Sequence, residues 1–195
     1  MHGTELQRAG LPDPAAATLT DGAVQIRPLA DRDAPALFEA ISESLPQLCT
    51  WHTWCRPNYD LYDCTAYILK AKADWQKGLQ FNFGTFDVKT QALLGSVALN
   101  QITPVHKFAN VGYWVRSSKA GQGIATASVR LIAKFAFHTL GLSRLEIVVP
   151  VGNVPSQRTA LKVGAVFEGT LRQRLMLSGK PHDASLYSLL LQDLR

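Results

Sequence analysis

Two glycines one residue apart, Gly121 and Gly123, stand where YWVRSSKAGQGIATA (113–127) passes from a strand-like run into a helix-like one. That succession makes an anion site: peptide N–H groups point outward, the helix dipole favours negative charge, and missing side chains let a phosphate approach. A second stretch, NVPSQRTALKVG (153–164), opens a short helix at Asn153 and can close it at Gly164. A third, LPQLCTWHTWCRPNY (45–59), has no clean period and carries Trp51, His52 and Trp54. Aromatic side chains in an irregular segment either line a pocket or plug the core, and both readings stand.

The elements that must position these residues follow from periodicity. AVQIRPL (23–29) alternates as a strand, and DRDAPALFEAISES (31–44) follows as a helix with Asp31 as its N-cap. Residues 60–77 read as a helix ending at Gly78. LQFNFGTFD (79–87) and ALLGSVALNQI (92–102) flank the turn VKTQ as a hairpin. FANVGYWV (108–115) is a strand with Ala109, Val111, Tyr113 and Val115 on one face. The helix after the glycines buries Ile124, Ala127, Leu131 and Phe135 at i+3, i+4 spacing. SRLEIVV (143–149) is a strand, and SGKP turns the last two strands into a hairpin. This order predicts an α/β fold with a mixed, mostly antiparallel central sheet of about seven strands and helices on both faces. Residues 1–22, rich in Ala, Pro and Gly, read as a flexible tail before a single domain over 23–195.

With 195 residues, 47% of them hydrophobic, the chain can bury an ordinary core. Its net charge of +5 suits an acidic ligand or partner but is too mild and too evenly spread to argue for nucleic acid. No apolar run is long enough for a membrane span or signal core. Cys49, Cys55 and Cys64 are odd in number and form no C-x-x-C pair, so neither a disulfide framework nor a zinc site is expected. A reducing, cytoplasmic compartment is the expectation.

Which anion the glycines would hold depends on their context. A Walker-type loop needs G-x-x-x-x-G-K-[ST], and no Lys follows Gly123. A dinucleotide fingerprint is matched by Gly121, Gly123 and the later Glu146, but Thr126 fills the place of the third glycine. Too few βαβ units follow for that fold.

The loop AGQGIA after Val115 resembles the acyl-coenzyme A pyrophosphate loop of the GNAT N-acetyltransferase superfamily, whose pattern is Gln/Arg-x-x-Gly-x-Gly/Ala. Gly123 and Ala125 stand at its small positions, while Ala120 replaces the usual Gln or Arg. NVPSQRTALKVGAVFEG (153–169) resembles the family's later coenzyme-binding segment. Ser156, three residues after Asn153, together with VGYWV and the LPQLCTW loop, resembles the subgroup acetylating ribosomal-protein N-termini. The resemblance spans about residue 23 to the end of the chain.

It implies acetyl transfer from acetyl-CoA to a primary amine by direct attack in a ternary complex, without a metal. Pantetheine would lie against the backbone of Tyr113, Trp114 and Val115, between two splayed strands. The pyrophosphate would meet Gly121, Gln122, Gly123, Ile124, Ala125 and Thr126, with Asn153 and Ser156 completing the coenzyme contacts. Ser156 would serve the departing sulfur, since the family's usual Tyr position is Ala160. Asn110 stands where relatives carry a Glu base, and an amide cannot take up a proton. A different base such as His52 or His106, a water ordered by Asn110, or an already neutral amine would fill the gap. An α-amine, whose pKa is near ~8, suits the last better than a Lys side chain. Trp51, His52 and Trp54 are the expected acceptor-side residues, and Arg116, Lys119, Arg158 and Lys162 could face phosphates. Small-amine acetylation and a non-catalytic acyl-CoA sensor are the alternatives; monomer and homodimer both fit.

Overall fold

The structure, a computed structural model, describes residues 10–194. Its strands are β1 (Leu19–Thr20), β2 (Val24–Pro28), β3 (Phe81–Asp87), β4 (Leu93–Thr103), β5 (Phe108–Val115), β6 (Arg144–Pro150), β7 (Val166–Leu177) and β8 (Lys180–Leu189). The helices are α1 (Ala34–Trp51), α2 (Leu61–Gln76), α3 (Ile124–Lys134) and α4 (Val154–Val163). The strands form one sheet in the order β1-β2-β3-β4-β5-β6-β8-β7. Every neighbouring pair is antiparallel except β5 and β6. The expected architecture is therefore present, with eight strands rather than seven because Leu19–Thr20 adds an edge.

Period-two alternation divides the sheet between two cores. On one face Phe81, Phe83, Val97, Leu99, Val111 and Ile147 pack with Ile132 and Phe135 of the α3 segment. Trp75, from the end of α2, meets Phe81 and Phe83 at centroid separations of 4.9 and 5.2 Å. On the other face Phe86, Leu93 and Trp114 pack with Leu37, Ile41 and Ile68 of α1 and α2.

Three local expectations change. From residue 10 onward the presumed tail joins the fold: Ala17 is buried, and Pro12 accepts a bond from the Trp75 indole N–H at 2.8 Å. Residues 1–9 lie outside the described residues. Asp31 does not cap α1; it sits in a 3-10 turn, Asp31–Asp33, and Asp33 instead holds Arg27 at 2.7 and 2.8 Å. Helix α1 runs on through Pro46 to Trp51, because Ile41, Ser44 and Leu48 bury one continuous stripe that outweighs the missing N–H.

Candidate active site

The register of the one parallel pair shapes the site. β5 and β6 pair at Phe108 with Arg144, Ala109 with Leu145 and Asn110 with Glu146, and no further. Beyond that apex β5 keeps only β4 as a ladder partner, as far as Val115 with Gly95. The strands thus open into a wedge, and the backbone of Val111–Val115 offers unladdered groups to anything entering it.

At the far end of β5 the chain enters the glycine loop. Gly121 and Gly123 have φ of +77° and +81°, and a side-chain carbon on either would meet no protein atom within 4 Å. The left-handed backbone makes glycine necessary there, and the open space is a cradle that any side chain would fill. Helix α3 starts at once: the Ala127 N–H bonds the Gly123 carbonyl at 3.0 Å, leaving the N–H groups of Ile124, Ala125 and Thr126 without helical partners. Beside them a cavity of ≈ 420 Å³ is lined by Gln122, Gly123, Ile124, Thr126, Arg130 and Lys162. Free N–H groups, a helix N-terminus and the Arg130 and Lys162 side chains fit a pyrophosphate, with Asp21 the one carboxylate on the lining.

Helix α1 braces this loop from the side. Arg116 bonds Glu39 and Glu43, the Ser118 N–H donates to Glu43 at 2.8 Å, and the Ser117 N–H donates to Ser44 at 3.0 Å. Hydrogen bonds from Arg116 and Ser118 hold the Glu43 carboxyl down to about 2. Arg116 is thus spent on α1 and does not face a phosphate. Lys119 and Arg158 are exposed and make no salt bridge among the described residues, whereas Lys162 borders the cavity.

At the mouth of the wedge, α4 begins. The Asn153 side chain caps it, accepting from the Ser156 N–H at 3.3 Å, and Gly164 closes it with φ of +103°. The Tyr113 hydroxyl lies 2.9 Å from Ser156 Oγ and donates to the Ser156 carbonyl at 3.0 Å. Burial pushes the Tyr113 phenol up to about 12, so it keeps its proton. The sequence by itself assigns Tyr113 a backbone contribution alone. Ala160, where the family carries its Tyr, is fully buried, and the hydroxyl comes instead from β5. Alternation was the available signal: Tyr113 is the one polar-tipped residue on an otherwise apolar face.

Trp114 points the opposite way and meets Trp54 at 6.4 Å between centroids. Trp54 also contacts His52 at 5.4 Å and Tyr59 at 5.6 Å, forming an aromatic group beside α1. Trp51 reaches the β6–α4 turn at Gly152. Burial drops His52 to about 4, which makes it a poor acceptor of an ammonium proton, and His106 lies in an exposed turn before β5. A disulfide joins Cys49 and Cys55 across this segment, with Cα atoms 4.8 Å apart, contrary to the expectation from their number. The chain doubles back where α1 ends, so two cysteines six apart come within bridging range. The cysteine count therefore no longer argues for a reducing compartment. Among the described residues no metal-binding group occurs, and no helix is long and apolar enough to cross a membrane.

A wedge beside a glycine cradle, closed by a capped helix, defines an acyl-coenzyme A transferase fold. The chain belongs to the GNAT family: the Acetyltransferase (GNAT) domain matches residues 24–166. It is 30% identical over 175 residues to the Bacillus subtilis protein named "Putative ribosomal N-acetyltransferase YdaF", covering 86% of this chain and 91% of that one. It is 33% identical over 113 residues to the Escherichia coli ribosomal-protein-serine acetyltransferase, covering 58% and 64% respectively. The solved structure of Mycobacterium smegmatis RimJ in complex with CoA-disulfide superposes with a TM-score of 0.80 at 25% identity, covering 91% of this chain and 87% of that one. The protein is an N-acetyltransferase, and acetyl-CoA is its acetyl donor.

Proposed function

We propose that the acceptor is the N-terminal α-amine of a protein, a ribosomal protein in the first instance. In this reading the pyrophosphate rests on the Gly121–Thr126 backbone and the thioester lies in the wedge, against Tyr113, Trp114 and Val115. A β5 N–H there polarises the thioester carbonyl, a donor already in place when charge develops. The amine attacks that carbonyl, the C–N bond forms, and the C–S bond breaks. Ser156 passes the proton shed by the attacking nitrogen on to the leaving sulfur, and Tyr113, which holds its own proton, orients the serine hydroxyl. Asn153 both caps α4 and presents Ser156. The Ser156–Tyr113 hydroxyl pair is the observation that carries this mechanism, and a mere acyl-CoA sensor would not need it.

The choice of acceptor is supported by the two relatives named for ribosomal substrates. The net charge of +5 agrees, since it would steer an acidic protein toward the site. One observation favours a second reading: the His52, Trp54, Tyr59 and Trp114 group could grip a small aromatic amine. Release of coenzyme A thiol, measured with N-terminal peptides beside small amines, separates the two. Preferential turnover of peptides is the expected result; turnover of small amines alone would replace the acceptor, and silence with acetyl-CoA bound would favour a sensor.

A further inference from the structure

The apex of the wedge holds a carboxylate that the reaction, as described so far, leaves unused. Asn110 and Glu146 are register partners on adjacent strands, at the last rung before the strands part. They share the sheet face on which Trp114 also lies, because Leu145 and Ile147 turn toward the opposite core. Adjacent paired strands lie about 4.8 Å apart. Glu146 therefore stands one strand over from the position where an acidic residue is missing.

The surroundings prepare that carboxylate to meet an ammonium. Arg144 lies on the same strand, two residues away, and Glu168 of β7 lies beyond it. The guanidinium gives its better geometry to Glu168, with bonds of 2.8 and 2.6 Å to both carboxylate oxygens. Those bonds, with a further one from the Ser188 hydroxyl, hold Glu168 down to about 2. Glu146 receives two longer bonds, both 3.1 Å and both to Oε1. Among the described residues no hydrogen bond engages its Oε2. Two carboxylates share one cation, so the group has a net charge of −1. On the β5 side, the Asn110 amide N–H donates to Asn100 at 2.9 Å, while Asn110 Oδ1 is buried without a donor. Ser188 of β8 completes the row as the register partner of Glu146. An incoming ammonium would supply the donors that this acceptor-rich row lacks.

We infer that Glu146 is the general base of the acetyl transfer, with Asn110 Oδ1 as the second acceptor for the amine or for a water between them. This inference rests on the amine-acetylation reading above. Glu146 takes one proton from the ammonium and later releases it to solvent. The neutral nitrogen attacks the thioester, the C–N bond forms and the C–S bond breaks, and the second amine proton ends on the sulfur by way of Ser156. Charges and protons balance without any further reagent.

The test uses the full chain with a peptide acceptor and compares the parent, Glu146→Gln and Asn110→Glu/Glu146→Gln. Acetyl-CoA binding by calorimetry checks the fold of each, since Arg144 keeps Glu168 in every variant. Glu146→Gln should lower kcat at pH 7 by about 100-fold, the lower end of general-base effects. Its turnover should then climb about tenfold per pH unit toward the α-amine pKa near ~8. The parent should be much flatter over that range. Restoring a carboxylate one strand away, in the double variant, should recover tenfold or more. An active parent with Glu146→Gln within threefold of it overturns the inference and leaves the acetylation reading intact. So does a loss that keeps the parent's pH slope, because that is a structural effect. A parent with no amine-dependent turnover overturns both.

Discussion

Helix α1 supports two regions that are built on different physics. Its middle clamps the glycine loop through Glu39, Glu43 and Ser44, with charge-assisted bonds to Arg116 and to backbone N–H groups. Its end releases the chain into the aromatic segment proposed to meet the acceptor, where rings meet at 5.4 to 6.4 Å and one disulfide closes the turn. Directional bonds fix the coenzyme end, where every acyl donor presents the same pyrophosphate. Tilted and edge-to-face rings, held mainly by contact area, allow more adjustment, which in the proposed reading suits the end where acceptors differ. The difference teaches that one helix can hold the glycine loop stiffly while leaving the aromatic segment adaptable, the division that the proposed reading needs between donor and acceptor.

The comparison breaks most completely at Gly123. Gly123→Val imposes a β-branched residue on a φ of +81° and fills the cradle, so acetyl-CoA affinity should fall at least ~100-fold by calorimetry while far-UV circular dichroism stays unchanged. Next come the hydroxyls at the wedge mouth. Ser156→Ala should lower kcat by ~10- to 100-fold with acetyl-CoA affinity preserved, and Tyr113→Phe by less, in single-turnover measurements. Unchanged turnover would return Ser156 to a purely structural role.

A smaller effect sharpens the contrast on the donor side. Glu43→Ala frees the Ser118 N–H and leaves Arg116 with Glu39 as its remaining carboxylate, and should weaken acetyl-CoA binding by about tenfold, the scale of one charged hydrogen bond. The sign with pH follows from its lowered carboxyl. The clamp's contribution is full above the ordinary carboxylate range and is lost as pH falls toward about 2. Thermal stability followed from pH 6 to pH 3 should therefore drop more steeply in the parent than in Glu43→Gln. The smallest change is expected from Trp54→Ala: a several-fold rise in acceptor KM, by steady-state kinetics, with acetyl-CoA affinity untouched. A matching loss of coenzyme affinity would show that the two regions are not separable.

Much of the donor side was legible in the sequence. The strand over 108–115, the glycines before α3, and the Asn153 cap with its closing Gly164 all appear where the spacing puts them. Each depends on a few neighbouring residues. The length of α1 was not legible, because Pro46 is a local stop signal and the stripe of Ile41, Ser44 and Leu48 that overrides it needs a core to pack against. Nor was the disulfide, since Cys49 and Cys55 meet only once the chain has turned. Arg116 looked available for a phosphate until its carboxylate partners, 73 and 77 residues away, were in place.

By itself, then, the sequence determined the backbone shapes: alternation for strands, caps and positive φ for helix ends, and a bare loop for an anion. These are short-range consequences of sterics and hydrogen bonding. Only the tertiary structure decided which side chains meet. Tyr113 reaches Ser156 across 43 residues, and Glu146 comes to lie beside Asn110. The reason is that strand order and register bring distant residues together, and no local preference encodes either.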